Sequence, residues 1–417
     1  MGGDAAMRLP FFILSLFIFS AVEAKIIHVS PDRSFKTITA GVDAAGAGDT
    51  VLVDAGFYKE KNLIIKKRIL LKGINYPVLD GEKKYEIIGV KANGVVIDGF
   101  KLVHSGVSSM EDISGIKIYD CKNVVIRNNI LEDTFFGIYT QNGSNCTIEN
   151  NRLSAYAKEE QQSGNGIHCW KSDSMKIISN AVSGHRDGIY FEFVTHAVIR
   201  NNTSVRNIRY GLHFMFSHND VYLANHFKNN GAGVSVMYSH GVKMYHNLFE
   251  ENWGDGAYGL LLKEITDSDI EGNTFLKNTS GIYMEGASRI KMKKNNFTNN
   301  GWGLKIQASC MGIEVTGNNF IGNTFDVSTN GSLVMNTFDN NYWDKYDGYD
   351  LNKDQVGDVP YRPVSMYSMI VEKNPPAMLL FRSFITSLLD KTEKVLPSLT
   401  PEGLKDNRPM MKRLFNK

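Results

Sequence analysis

A parallel β-helix, an all-β solenoid wound in short coils, is the fold this sequence predicts, and three columns of residues predict it. Glycines recur at Gly115, Gly137, Gly166, Gly188, Gly211, Gly233, Gly259, Gly281 and Gly303, in steps of 22, 29, 22, 23, 22, 26, 22 and 22. Asparagines recur at Asn129, Asn151, Asn180, Asn202, Asn225, Asn247, Asn273, Asn295, Asn318 and Asn336, in steps of 22, 29, 22, 23, 22, 26, 22, 23 and 18. Two columns with the same irregularities mark one repeating unit, and a period in the twenties means stacked supersecondary units. The third column is apolar: Leu131, Leu153, Val182, Phe227, Phe249, Phe275, Phe297, Phe320 and Phe338 stand two places after an Asn, with Ser204 the exception. Leucine-rich repeats share such periods, but their Leu pattern and helices are missing. Short alternating strands with Gly and Asn at the corners fit one β-coil per repeat.

In such a coil, equivalent residues of successive turns stack about 4.8 Å apart. The apolar column then fills the core, and stacked Asn amides bond to one another and to the turn backbone, so the Asn-rich character reads as structural. At 417 residues and 42% hydrophobic content the chain can bury a large core, and the repeat favours one elongated domain over several globules. A formal charge of +2 with no basic stripe excludes a dedicated nucleic-acid binder.

In chain order, Met7 and Arg8 precede an apolar run from Leu9 to Phe19, and Val22 and Ala24 sit at the −3 and −1 positions of a signal-peptidase site. Residues 1–24 therefore read as a signal peptide, with an uncleaved anchor the competing reading. Phe35, Ile38 and Val42 recur at helical spacing, so a helix over about 34–46, capped by Ser34, should close the open end of the solenoid before a first strand at Thr50–Val53. Strands around Leu63–Leu71, Glu86–Val90 and Val95–Leu102 begin a solenoid spanning 25–343, with regular coils over about 95–338. Residues 344–417 form a loop, an amphipathic helix and a tail. In the loop, Asp350, Asn352, Asp354 and Asp358 could wrap one calcium ion, although Gln355 takes the usual glycine position and no Glu closes the loop; a solvated turn is the alternative. Met378 to Leu389 reads as one amphipathic helix, and Pro397, Pro401 and Pro409 break the rest of the tail into extended, basic peptide. Met378, Phe381, Phe384, Leu388 and Leu389 form a face that needs a partner, so the tail is expected to dock on another protein. The cysteines Cys121, Cys146, Cys169 and Cys310 include no CxxC; Cys169 points into the core, and a Cys121–Cys146 disulfide stays open.

Function is hinted at by clustering, because eight of the ten histidines lie between Gly166 and Phe249. The residue after each leading Gly is apolar and points in, so the next points out. The outward ladders become His168, Tyr190, His213 and Ser235, then Trp170, Glu192, Met215 and Met237. Met215 lies under Met237 and, beyond the corner, His218 under His240. Thioether and imidazole are ligand types that suit Cu(I). Surface packing is the competing account of the same side chains. Extra residues near Ala157–Ser163 and Trp253–Ala257 fall at one corner and should border this strip at both ends.

The run GNGIHCWKSDSMKIISNAVSGHRDGIYFEFVTHAVIRNN, with RYGLHFMFSHND, GVSVMYSHGVKMYHN and the terminal YRPVSMYSMIVEKNPPAMLLFRSFITSLLD, resembles the NosD proteins of nitrous oxide reductase maturation. The resemblance implies a periplasmic right-handed β-helix that works in denitrification with an ABC-type permease and its ATPase. It also implies a copper chaperone upstream and delivery of copper to the copper-sulfide centre of nitrous oxide reductase, with sulfur as a second cargo it allows. The chain is then a non-catalytic component, membrane-associated through its partners. Met215, Met237, His218 and His240 are the candidate Cu(I) ligands, with His213 nearby. The rival reading is a carbohydrate-active or carbohydrate-binding β-helix, in which Trp170 and Tyr190 stack on a sugar. The outward carboxylates Glu192 and Glu285 lie four coils apart, about 19 Å, too far for a paired mechanism.

Overall fold

The structure, a computed structural model, describes residues 24–108, 110–331, 335–395 and 404–415. The expected leader lies outside these residues except for Ala24, as do Pro397 and Pro401 of the tail.

Each coil lays down one short strand on each of three faces, and every strand pairs in parallel with its equivalent in the next coil. The first sheet has 14 strands, from Ile26–Val29 to Thr337–Asp339. The second has 13, from Phe57–Tyr58 to Tyr342–Trp343, and the third has 12, from Leu63–Ile65 to Phe325–Ser328. The Gly column opens the strands of the third sheet, where there is no room for a side chain. A Cβ on Gly211 would sit 2.7 Å from the Gly233 carbonyl, and one on Gly188 would sit 2.0 Å from Ser204 Oγ. That crowding accounts for Ser204 in the apolar column: its hydroxyl donates to the Gly211 carbonyl at 2.7 Å. Between Gly115 and Asn318 no α-helix occurs, and the single helical turn there is the 3-10 segment Glu160–Gln162.

The Asn column runs down the corner between the first and second sheets. From Asn129 onward each Asn donates its backbone N–H and its Nδ2 to Oδ1 of the next, as Asn202 does to Asn225 at 2.9 and 3.0 Å, and its Nδ2 also reaches a backbone carbonyl. The last rung is Asn341, not Asn336: Asn318 donates to Asn341 Oδ1 at 2.9 Å, whereas Asn336 lies off the column and accepts from Ile313 N. The core ladder likewise ends on Trp343, stacked 4.1 Å from Phe320, and Phe338 belongs to the first sheet. A second amide ladder, Asn207, Asn230, Asn252, Asn278, Asn300 and Asn323, follows the corner between the second and third sheets. Inside, Phe249, Phe275, Phe297 and Phe320 stack at 4.6 to 4.8 Å and are fully buried. Each contributes about 1.5–3 kcal/mol relative to exposure.

Both ends differ from expectation in detail. The first strand is Ile26–Val29. The capping helix, α1, is Ile38–Ala44 with Thr37 as its cap; Phe35 bridges to Val29 and keeps the chain extended past Ser34, and Glu60 takes the Ile38 N–H at 2.6 Å. At the other end the single expected helix is divided. Helix α2 (Met366–Lys373) is followed by a 3-10 segment (Pro375–Leu380) and then by α3 (Phe384–Val395), with Arg382 at φ 61° in the break. Phe325, Tyr367, Val371 and Ala377 bury a small second core there. Residues 404–415 then fold back onto the end of the solenoid. Asp406 Oδ2 accepts from Asn341 N, Asn341 Nδ2 and Trp343 Nε1, each at 3.0 Å, and Leu414 N donates to Asn319 Oδ1. The terminal part of the tail therefore docks on its own solenoid, contrary to the extended arm expected.

The calcium reading is not supported by this geometry. Asp350, Asn352, Asp354 and Asp358 accept backbone N–H groups of Leu351, Asp354, Gln355 and Val356, so the loop's own amides take the place a cation would have. Cys121, Cys146, Cys169 and Cys310 are free, buried thiols. Among the described residues, no helix is long and apolar enough to cross a membrane.

Candidate copper strip and partner surfaces

The expected register holds on the third sheet: Glu192, Met215, Met237 and Lys263 stand in one row, and Tyr190, His213, Ser235 and Leu261 in the next. Met215 and Met237 are half-buried neighbours, and Tyr190 Oη donates to Met215 Sδ at 3.5 Å. Burial, with Glu192 and Asp187 nearby, pushes the Tyr190 phenol up to about 12, so it stays a donor to that sulfur at neutral pH. Both insertions leave the second sheet and return at the third, at the corner expected for them. Glu160 of the first lies 3.8 Å from Arg209.

The inner row faces out of the sheet yet is covered, which differs from the open strip expected. His213 is only 4% exposed, packed against the rings of Tyr190 and Tyr210, with Nδ1 3.7 Å from the buried Asp187 carboxylate. His168 packs among Phe136, Tyr139 and Tyr190. Burial, then Arg186 and Lys117, pull His168 down to about 3, so it is neutral. Arg186 engages Asn165 Oδ1, which turns Asn165 Nδ2 toward His168 Nδ1 and leaves the proton on Nε2. Sequence reasoning missed Asp187, Arg186 and Arg209 as companions of these histidines. The signal was present in the run His185-Arg186-Asp187, but periodicity does not show which corner residues fold back over a sheet.

His218 and His240 lie past the corner, with ring centroids 4.0 Å apart and planes 20° from parallel. The His240 N–H donates to His218 Nδ1 at 3.2 Å, which places the neutral ring's proton on Nε2. Burial and His240 both lower the His218 pKa. Stacked rings direct their in-plane lone pairs alongside one another rather than at one point. The structure thus pairs Met215 with Met237 and His218 with His240, while Phe216 and Tyr238, at the corner, separate the pairs along the chain. Among the described residues, no group of three or more His, Cys, Asp or Glu side chains is placed to hold a metal. Of the sugar-stacking candidates, Trp170 carries the Lys171 ammonium 4.4 Å from its ring, and Tyr190 lies between His168 and His213.

The tail residues divide as well. Met378 and Leu389 pack on the second core, and Phe381 lies against its Phe325 and Tyr367 rings while keeping an exposed side; Phe384 and Leu388 are exposed together with Leu379 and Ile385. Leu379 and Ile385 were missed because the single-helix reading set the wrong helical phase.

Residues 154–348 match the family model described as periplasmic copper-binding protein (NosD), and residues 69–180 match that of a right-handed β-helix region. Two relatives named probable ABC transporter binding protein NosD are 26% identical: one from Pseudomonas aeruginosa over 84% of this chain and 86% of its own length, one from Stutzerimonas stutzeri over 78% of each. Solved structures share the fold alone. They include the surface adhesin PfbA of Streptococcus pneumoniae (13% identity, TM-score 0.55, 70% of this chain and 88% of that one) and the mannuronan C-5 epimerase AlgE6 A-module of Azotobacter vinelandii (15%, 0.53, 73% and 87%). The resemblance to NosD proteins carried by the His and Met lines is thereby borne out, on a solenoid of the right-handed β-helix class.

Proposed function

We propose that this chain is a periplasmic, non-catalytic protein that accepts and passes on Cu(I) while working with an ABC-type transporter. The observation that carries the reading is the in-register pair Met215 and Met237, two thioethers side by side on an outward face, half-exposed and backed by a phenol. The NosD relatives and family model support the copper and transporter parts through their printed names. Thioether sulfur is soft and prefers Cu(I) to Cu(II). The residues fit as a low-coordinate set: Met215 and Met237 with one imidazole, since the stacked His218 and His240 do not converge and His213 is closed in. Such a set releases metal readily. The destination we infer is the copper-sulfide centre of nitrous oxide reductase, supplied by a copper chaperone, with the permease and ATPase as membrane partners. The exposed apolar face of Phe381, Phe384 and Leu388 is the proposed contact with the transporter.

The test replaces Met215 and Met237 together with Leu, which keeps volume and removes sulfur. Anaerobic Cu(I) titration against a chelator should show affinity reduced at least about tenfold, or roughly 1.4 kcal/mol, with reductase maturation impaired. Unchanged affinity and maturation would reduce the strip to surface packing. The carbohydrate reading draws less support, because the rings of Trp170 and Tyr190 already have partners.

A further inference from the structure

One row of side chains in the structure is not explained by folding alone. At the corner after the third sheet, eight successive coils each place one residue in the left-handed region, and in sequence these are Asp120, Asn142, Lys171, Phe193, Phe216, Tyr238, Glu264 and Gly286, with φ between 48° and 62°. Asp, Asn and Gly tolerate that conformation, whereas a bulky aromatic there is an outlier. Phe193, Phe216 and Tyr238 are 45%, 37% and 39% exposed, so they also leave large apolar surfaces in water. Aromatic rings both strained and exposed, in three consecutive coils and nowhere else along the row, are the pattern of a surface kept for contact.

The geometry of the three rings narrows the partner. They stack face to face, with centroids 5.3 and 5.0 Å apart and planes within 14° of parallel. Both faces of Phe216 and one face each of Phe193 and Tyr238 are spent on this stack, so the middle ring meets solvent by its edge. A saccharide or a base that stacks needs a free ring face, which the middle of this ridge does not offer. Ring edges carry the positive part of the quadrupole and favour oxygen or thioether sulfur. The row is bounded by Lys171 at one end and Glu264 at the other, which would orient a partner carrying an acid and a base at matching ends. Its two flanks are Met215–Met237 and His218–His240.

We infer that the ridge Phe193–Phe216–Tyr238 is the docking surface for a folded protein that exchanges Cu(I) with this chain through an apolar, methionine-bearing face. The inference rests on the copper reading above. Ring edges grip the partner while the thioethers beside them meet its metal.

The experiment uses the full chain with F193N/F216N/Y238N, Asn being the residue the row itself uses at Asn142. Relief of the left-handed strain should leave Tm unchanged or raise it by a few degrees, and Cu(I) affinity in chelator competition should match wild type. A photo-crosslinking amino acid in place of Phe216 should capture one periplasmic protein. That protein, purified and loaded with Cu(I), should pass metal to the triple variant at least tenfold more slowly than to wild type. A marked fall in Tm would make the ridge a structural ladder and overturn the inference. Equal transfer rates, capture of a glycan, or capture of a protein that holds no Cu(I) would overturn it as well. If the wild type takes no Cu(I) from the chelator, the copper reading itself fails, which the other arms reveal independently.

Discussion

Asp220 shows how far a single side chain departs from its ordinary chemistry in this core. It is fully buried near the candidate strip, and Oδ1 accepts the Ala197 N–H at 2.7 Å while Oδ2 finds no partner. Burial is the main cause that pushes its carboxyl up to about 8; the Ala197 bond opposes and Asp173 adds to the rise. The folded state therefore keeps a proton that the unfolded chain releases near its ordinary 3.8. Stability from this group is intact below that value and is lost as pH rises toward 8. Asp220→Asn keeps the acceptor and supplies a permanent donor. The variant should match wild type near pH 4 and exceed it by pH 8, by a difference on the order of 3 kcal/mol. Denaturation midpoints across that range check the sign, and a parallel shift at all pH values would refute it. None of this was legible in the sequence, where Asp220 is one of many polar residues between strands; its burial comes from the register of a corner, not from its neighbours.

At the scale of the element, the amide ladder is the part that sequence reading saw most clearly. Its steps set the register of nine of the ten expected rungs, because a stacked amide tolerates no substitute that lacks both donor and acceptor. The tenth failed where the repeat faded: a step of 18 led to Asn336, whereas the structure continues by 23 to Asn341. The second ladder, from Asn207 to Asn323, was passed over, since its six rungs were absorbed into the general abundance of Asn. Replacing a mid-ladder residue tests the account. In Asn225→Ala the Asn202 N–H and Nδ2 lose their acceptor and the Ile199 carbonyl loses its donor. The expected cost is about 2–4 kcal/mol, read from chemical unfolding, with local hydrogen exchange rising at Asn202. A cost below about 0.5 kcal/mol would mean that the ladder is an ornament of a core held by its aromatics.

On the scale of the whole molecule, the tail is where the sequence misled most. A segment with three prolines and a basic end reads as a free arm, and nothing local announces that Asp406 completes a corner begun hundreds of residues earlier. The fold of the repeats was legible because the same information is written about a dozen times; the tail is written once. Chains ending after Asn374 or after Val395 both lose Asp406. Asn341 and Trp343 then keep three buried donors without an acceptor, and the last coils become an open edge. Such truncations should unfold more easily by about 3 kcal/mol or more and show fast hydrogen exchange confined to residues 318–343. Docking to a membrane partner is better probed by Phe384→Ser with Leu388→Ser, which alters an exposed face and should leave unfolding unchanged. A truncated chain as stable as the full one would remove the capping role.

The two amide ladders have a direction. From rung to rung, hydrogens are given toward the C-terminal end and accepted from the N-terminal side, so the last rung holds hydrogens that no further Asn can take. Both ladders meet an acid there, Asp406 in one and Asp326 in the other, and an acid can receive without having to give. This makes the length of the solenoid a chemical decision rather than an accident of where the repeats stop. A coil can be added or deleted in the middle, since each rung greets its neighbour the same way. The terminus cannot be moved without carrying its acid along, and a second molecule pressed against the Asn341 end finds the hydrogens that would continue the stack already taken.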